Sequence, residues 1–382
     1  MRIAFITLLY DTSVGGSEVL WTCTAARALA EGHKVMVSAY AWPQLPSAYQ
    51  QLEDAGATFF FRPRYQGSLR YRALSWLRRL PSKGVLPEIR ALAEFKPDVV
   101  VVSQGGWMDL YYHEQLAEWL QRVPFVLVCH NYQDPARQRD FSRSKVVSLY
   151  GHAKEVLMIS NKQLRTIQRQ LVDPIANARV IQNPLNLPTT FPLPYTPAPD
   201  GVARLSVVAS FDVDRKGHDV LLEALTAPEW AQRKFRVNFY GQGPDREYLE
   251  SLIRFYGLKD HVQLCGHSAD AAALWQNTDL VVIPSRIESG PMVLQEAMAC
   301  GRPVVAADVG IVREWLEDEE TGFIADTSSV VSLNKALDRA WFRRSEWHAI
   351  GMLAAKSAIP RLDKDPVGDM LQRLVTFGSV KS

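Results

Sequence analysis

The chain has 382 residues, 47% hydrophobic and 22% charged, which is too long for one ordinary core and too apolar for disorder, so two domains are expected. A net charge of +2 argues against bulk nucleic-acid binding, but residues 1–190 carry +7 and the remainder −5, so the first half is expected to face something anionic. Cys23, Cys129, Cys265 and Cys300 are scattered without metal-like spacing and read as reduced, buried thiols. No apolar run is long enough to span a membrane, and the opening MRIAFITLLY is too short for a signal-peptide core.

Residues 3–8 form a first expected strand. A Val14-Gly15-Gly16-Ser17-Glu18 loop follows, then a helix with Leu20, Cys23, Ala26 and Ala30 on one face. Strand, glycine loop and helix open a doubly wound sheet, and without a full GxGxxG a dinucleotide site is not expected. Residues 35–39 and 59–61 read as the next strands. Between Asp54 and Glu88 there is no acid, and Arg62, Arg64, Arg70, Arg72, Arg78, Arg79 and Lys83 interleave with Tyr65, Leu69, Tyr71, Leu74, Trp76, Leu77 and Leu80. This stretch is either a solvated helix with snorkelling arginines or a contact for an anionic membrane surface or a phosphate-bearing acceptor. Strands are expected at 98–102 and 123–129. The second places His130 at a strand's carboxyl edge, where doubly wound sheets gather ligands. A helix at 141–153 and strands at 156–159 and 179–181 complete this half.

The proline-rich NPLNLPTTFPLPYTPAP (183–199) excludes a helix and reads as an extended linker. The expected division is a first domain over 1–190, a second over 191–360 and a tail over 361–382. The second half restarts the rhythm with a strand at 204–209, the loop Ser210-Phe211-Asp212-Val213-Asp214-Arg215-Lys216-Gly217, and a helix from Val220. A strand at 235–240, a helix at 248–256 and a strand at 262–265 ending in Gly266-His267 follow. Asp212 and Asp214 form a D-x-D, read as a cap for the next helix in preference to a metal site; no metal or cofactor is expected. Leu280-Val281-Val282-Ile283 reads as a buried strand, Pro284–Gly290 as a loop, and Pro291 as the first helical position, with Val293, Leu294, Ala297 and Met298 on one face and Gly301 as the stop. Glu288 then sits at a helix N-terminus, a ready anion site, and Glu296 about a turn and a half inside the helix.

E-S-G-P-M-V-L-Q-E (288–296), preceded by Lys216-Gly217 and Pro284-Ser285 and followed by GRPVV (301–305), resembles the signature of the family-4 retaining glycosyltransferases. The likeness is strongest over 205–324 and weaker over the first thirty residues. It implies an α/β GT-B architecture: two facing Rossmann-like domains with parallel sheets and a last helix crossing back to the first domain. It also implies transfer of a sugar from a nucleotide-diphosphate donor, with retained configuration, to a glycan or lipid-linked acceptor in cell-surface polysaccharide or glycolipid assembly. Such an enzyme would be cytoplasmic, or peripheral on the inner face of the membrane.

By that resemblance His130, Lys216 and Glu288 are the catalytic set. Gly16, Ser210, Arg215, Gly266, Arg286, Ser289, Gly290, Pro291, Met292, Val293 and Glu296 hold the donor: Glu296 on ribose hydroxyls, Lys216 on the diphosphate, Glu288 by the donor sugar. One position departs from the pattern. The family's diphosphate-binding arginine is replaced by Ser210, with Arg215 or Arg286 as candidate substitutes. That departure keeps open a non-catalytic nucleotide-sugar-binding protein, and the fold keeps open a relative such as an epimerase.

Overall fold

The computed structural model describes residues 1–10, 15–64, 85–132, 140–198, 200–268 and 270–379. It divides into two compact units, one of Met1–Pro184 with Asp363–Ser382, the other of Leu185–Leu362.

The first unit is a parallel sheet in the order β3-β2-β1-β4-β5-β6-β7. Its strands are β1 (Arg2–Thr7), β2 (Lys34–Tyr40), β3 (Thr58–Arg62), β4 (Val99–Gly106), β5 (Phe125–Asn131), β6 (Glu155–Met158) and β7 (Ala178–Val180). Around it lie α1 (Gly16–Ala30), α2 (Ser47–Asp54), α3 (Pro87–Phe95), α4 (Glu114–Leu120), α5 (Asp140–His152) and α6 (Asn161–Leu171). Val99 to Val102 are all buried, because helices cover both faces of a parallel sheet and leave no polar side for alternation. Ala4, Ile6, Val100 and Val102 serve one core; Ile3, Phe5, Val99 and Val101 serve the other.

The second unit repeats the architecture with strand order β10-β9-β8-β11-β12-β13, again parallel. Its strands are β8 (Ala203–Val208), β9 (Phe235–Tyr240), β10 (Val262–Gly266), β11 (Leu280–Ile283), β12 (Val304–Ala307) and β13 (Phe323–Ala325). Its helices are α7 (Val213–Lys216), α8 (His218–Ala224), α9 (Arg246–Phe255), α10 (Ala271–Gln276), α11 (Met292–Ala299), α12 (Val312–Trp315), α13 (Val330–Phe342) and α14 (Trp347–Ala358).

The chain then returns to the first unit, where α15 (Pro366–Ser379) packs on α1. Met370, Leu371 and Leu374 are buried there beside Leu20, Trp21, Ala25 and Ala28. Each such side chain contributes about 1.5–3 kcal/mol. Arg373 adds an ion pair to the buried Glu155 at 2.9 Å.

Several expectations change. The proline-rich segment, expected as an extended linker, also packs: Leu193 is buried in the second core. The buried Arg302 holds the segment down by donating to the carbonyls of Leu193 (3.3 Å) and Pro194 (3.0 Å). Only Cys129 and Cys300 are buried; Cys23 and Cys265 are exposed. Pro291 caps α11 and the helix starts at Met292. Arg62 is buried and bonded to the Thr7 carbonyl, with Glu88 at 3.5 Å, so it cannot face a bilayer. Arg70, Arg72, Arg78, Arg79 and Lys83 lie outside the described residues. Among the described residues no helix is long and apolar enough to cross a membrane.

Candidate functional site

The loops that leave the carboxyl ends of β8, β9, β11 and β12 are pressed together in the second unit. Gly217 ends α7 at φ +66°, and a Cβ there would stand 2.1 Å from the Pro284 carbonyl oxygen. A Cβ on Gly241 would stand 1.8 Å from the Ala209 carbonyl oxygen, and one on Gly310, at φ +53°, 2.5 Å from that of Ser289. Glycine is required where backbones touch this closely. Gly217→Ala combines the clash with a left-handed backbone, so it should cost more than about 2 kcal/mol in urea unfolding. A loss below about 0.5 kcal/mol would show that the two loops separate freely.

This contact joins two of the sequence candidates. Lys216 Nζ donates to Glu288 Oε1 at 2.5 Å, both side chains being mostly buried, and Ser285 Oγ donates to the same oxygen at 3.2 Å. Arg286 does not stand ready as a spare cation. It is bidentate to Asp219 at 2.8 and 2.7 Å and donates to the Val213 carbonyl at 3.1 Å. Arg215 is half-buried and only loosely paired with Asp212, at 3.8 Å. Asp212 caps α7, a short helix within the stretch expected to be a loop, through the Arg215 amide, and not the helix that follows, whose N-cap is Gly217. Ser210 is exposed on the same loop.

Ahead of α11, Leu294 N donates to the Pro291 carbonyl at 3.1 Å, which leaves the amides of Met292 and Val293 at the helix mouth beyond Gly290. Unspent amides and the positive dipole end make an anion site. The Ser289 hydroxyl beside them is buried and has no hydrogen-bond partner among the described residues. Such a donor is costly to leave unmade unless a ligand takes it.

Glu296 lies further along α11. Its Oε1 accepts the Asn186 amide at 2.8 Å, and burial pushes its carboxyl up to about 7. It lines a small open pocket with Asn186, Val208, Tyr240, His267 and Trp275. Gly266, at φ +73°, ends β10 near this pocket and accepts the Gly241 amide at 2.8 Å.

His130 and Gly16 belong to the first unit. The ladder runs through Asn131, so His130 lies inside β5 instead of beyond it, and its Nε2 sits 3.1 Å from Ser103 Oγ on β4. Burial lowers its pKa to about 4. The folded state therefore prefers neutral imidazole, and stability falls as pH drops below the unfolded value of 6.5 toward 4. A ring-proton NMR titration should show this imidazole flat from pH 8 to about 5; a midpoint near 6.5 would contradict the burial. Gly16 opens α1 and is exposed.

Residues 14–188 match the family described as Glycosyltransferase Family 4, and residues 200–348 match Glycosyl transferases group 1. The chain belongs to the family-4 glycosyltransferases. Among curated relatives, an uncharacterized glycosyltransferase of Haemophilus influenzae is 29% identical over 129 residues, 32% of this chain and 35% of the relative. The phosphatidyl-myo-inositol mannosyltransferase of Mycobacterium leprae is 33% identical over 167 residues, 43% of this chain and 44% of the relative. The match thus spans less than half the length of either. Among solved structures, Anabaena Alr3699/HepE in complex with UDP and glucose superposes with TM-score 0.72 at 20% identity, covering 100% of both chains. A Rickettsia africae glycosyltransferase gives 0.74 at 15% identity, over 100% of this chain and 99% of that one. These likenesses establish the GT-B fold.

Sequence reasoning about this glycosyltransferase missed Asp219, Asn186, Ser103 and the pocket residues Tyr240 and Trp275. Asp219 carries no signal, being one acid in a helix start. Tyr240 could have been found as the last residue of a strand expected to end at a ligand edge.

Proposed function

We propose that the chain is a retaining glycosyltransferase that moves a hexose from a nucleotide-diphosphate sugar to a glycan or lipid-linked acceptor. The observation that carries the reading is the Lys216–Glu288 pair at the mouth of α11, with the unpartnered Ser289 hydroxyl beside it. One cation, free amides and a buried hydroxyl suit a diphosphate. Glu296 and the aromatic pocket next to it suit a nucleoside, the carboxylate accepting from ribose hydroxyls. Because Alr3699/HepE was solved with UDP and glucose, UDP-glucose is the first donor to try.

On donor binding Lys216 turns from Glu288 to the diphosphate, and Glu288 is released to orient sugar hydroxyls. The acceptor hydroxyl attacks the anomeric carbon on the face from which the diphosphate leaves. The bond from that carbon to the phosphate oxygen breaks, and the acceptor's proton passes to the departing phosphate. Lys216, Ser289 and the Met292 and Val293 amides stabilise the charge that develops there. His130, kept neutral by burial, has a hydrogen-bonding role and not a charged one in this reading.

The test is release of nucleoside diphosphate from a panel of nucleotide sugars, with the configuration of the product bond read by NMR. Absence of turnover and of any thermal shift with nucleoside diphosphates would sink the reading. Inverted product would sink the retaining part alone.

Assembly of cell-surface polysaccharide or glycolipid places such an enzyme at an anionic membrane surface, and we keep that reading without Arg62. Arg64, Arg70, Arg72, Arg78, Arg79 and Lys83 carry it from the sequence. Four engaged cations give about 4 kcal/mol at low salt. Co-sedimentation should therefore require anionic vesicles and fail at high salt; binding indifferent to lipid charge is the opposing result.

A further inference from the structure

In the first unit, a ladder of arginines and aromatic rings stands at the carboxyl edge of β1, β2 and β3. Tyr40 ends β2 and Arg62 ends β3; Trp42 and Arg64 follow two residues beyond each, and Tyr10 follows β1. The Arg62 guanidinium lies 4.2 Å from the Tyr40 ring centre, and Tyr40 meets Tyr10 edge to face at 5.1 Å. Arg64 is 5.3 Å from the Tyr10 ring and 3.9 Å from that of Trp42. Tyr40, Trp42, Tyr10 and Arg64 are all partly exposed.

Two features of this ladder exceed what packing needs. Arg64 spends only Nε, on the Tyr10 carbonyl at 2.8 Å, and no carboxylate pairs with it among the described residues. A guanidinium held beside two aromatic rings with its terminal amines unspent is a fork for a carboxylate or phosphate. Beneath it, Arg62 is 6% exposed, and its Nε and Nη1 have no hydrogen-bond partner although Glu88 lies 3.5 Å away. Glu88 pairs with Arg62 alone and already accepts from Ser38 Oγ at 2.6 Å, and the buried Glu18 also lies within the field of Arg62, so Arg64 is the cation left without a carboxylate among the described residues. The Arg64 guanidinium sits at the edge of the sheet where ligands of doubly wound folds bind.

We propose that this edge binds a sugar bearing an acidic group, with Arg64 gripping the acid, Trp42 and Tyr10 contacting the ring, and Arg62 supplying charge from below. The proposal rests on the transferase reading only for the ligand's role as acceptor. Either a sugar phosphate or a uronic acid offers the required chemistry.

The experiment uses the full chain. UDP is titrated first, and then, at saturating UDP so that the second unit is occupied, glucose 1-phosphate, glucuronic acid, glucose and inorganic phosphate are titrated by ligand-observed NMR. At least one acidic sugar should bind ten or more times tighter than glucose and than inorganic phosphate, and which one does so names the acid. Arg64→Gln should remove that advantage, Arg64→Lys should restore part of it, and neither should move the Kd for UDP, which also reports folding. Glucose equal to both acidic sugars, inorganic phosphate equal to the better one, or an advantage that survives Arg64→Gln would overturn the proposal. Failure of UDP to bind would count against the donor reading alone, since the sugar titrations can then be run without it.

Discussion

Lys216→Ala is expected to lower turnover about a hundredfold or more, the loss seen when one preorganised group is removed from developing charge. The position offers little redundancy. Arg286 is committed to Asp219 by two hydrogen bonds and to the Val213 carbonyl by a third, so recruiting it would break three contacts. Arg215 is the nearer substitute in sequence, but its partner Asp212 also caps α7. The variant has a second effect, because Glu288 is mostly buried and would lose the one cation paired with it among the described residues. A buried carboxylate left unpaired is destabilising. Lys216→Ala with Glu288→Gln separates the two: stability should recover while turnover stays low. Activity within twofold of wild type in the single variant would mean that the site is built around Arg215. Ser210→Arg, adding a cation to the exposed start of the same loop, would then be expected to raise turnover only where the loop brings it to the diphosphate.

Much of this was legible because parallel α/β units announce themselves. Runs such as Val99–Val102 and Leu280–Ile283 are apolar throughout, and the glycines at 217, 241 and 310 mark backbone contacts between loops. Spacing within one segment also carried Glu288 and Glu296 onto the mouth and body of a single helix. Pairings between segments were not legible. Lys216 meets Glu288 across 72 positions and Arg286 meets Asp219 across 67, and no local pattern encodes either. One residue of the basic stretch misled for the same reason. Arg62 reads as one more surface cation, but it ends β3 in a ladder that places its guanidinium on Thr7, Tyr40 and Glu88.

Glu296 should show stability and binding moving in opposite directions. Burial holds its carboxyl near pH 7 against about 4.5 in the unfolded chain. The folded state therefore binds more protons than the unfolded one between those values, so stability falls as pH rises from about 4.5 and levels off above about 7. The penalty at pH 8 is on the order of 3 kcal/mol. Glu296→Gln keeps an oxygen for the Asn186 amide, 2.8 Å away in the wild type, and removes the charge. The ligand-free variant should be more stable than wild type at pH 8 and gain nothing at pH 4. Nucleotide binding should move the other way, since ribose hydroxyls would donate to a neutral amide in place of a carboxylate. Glu296→Ala, which removes the acceptor, should weaken nucleoside diphosphate binding by about 1–3 kcal/mol. Melting curves at the two pH values and calorimetric titration with UDP measure both sides. A glutamate with a purely structural role would give the reverse: lower melting temperature in both variants, and affinity unchanged.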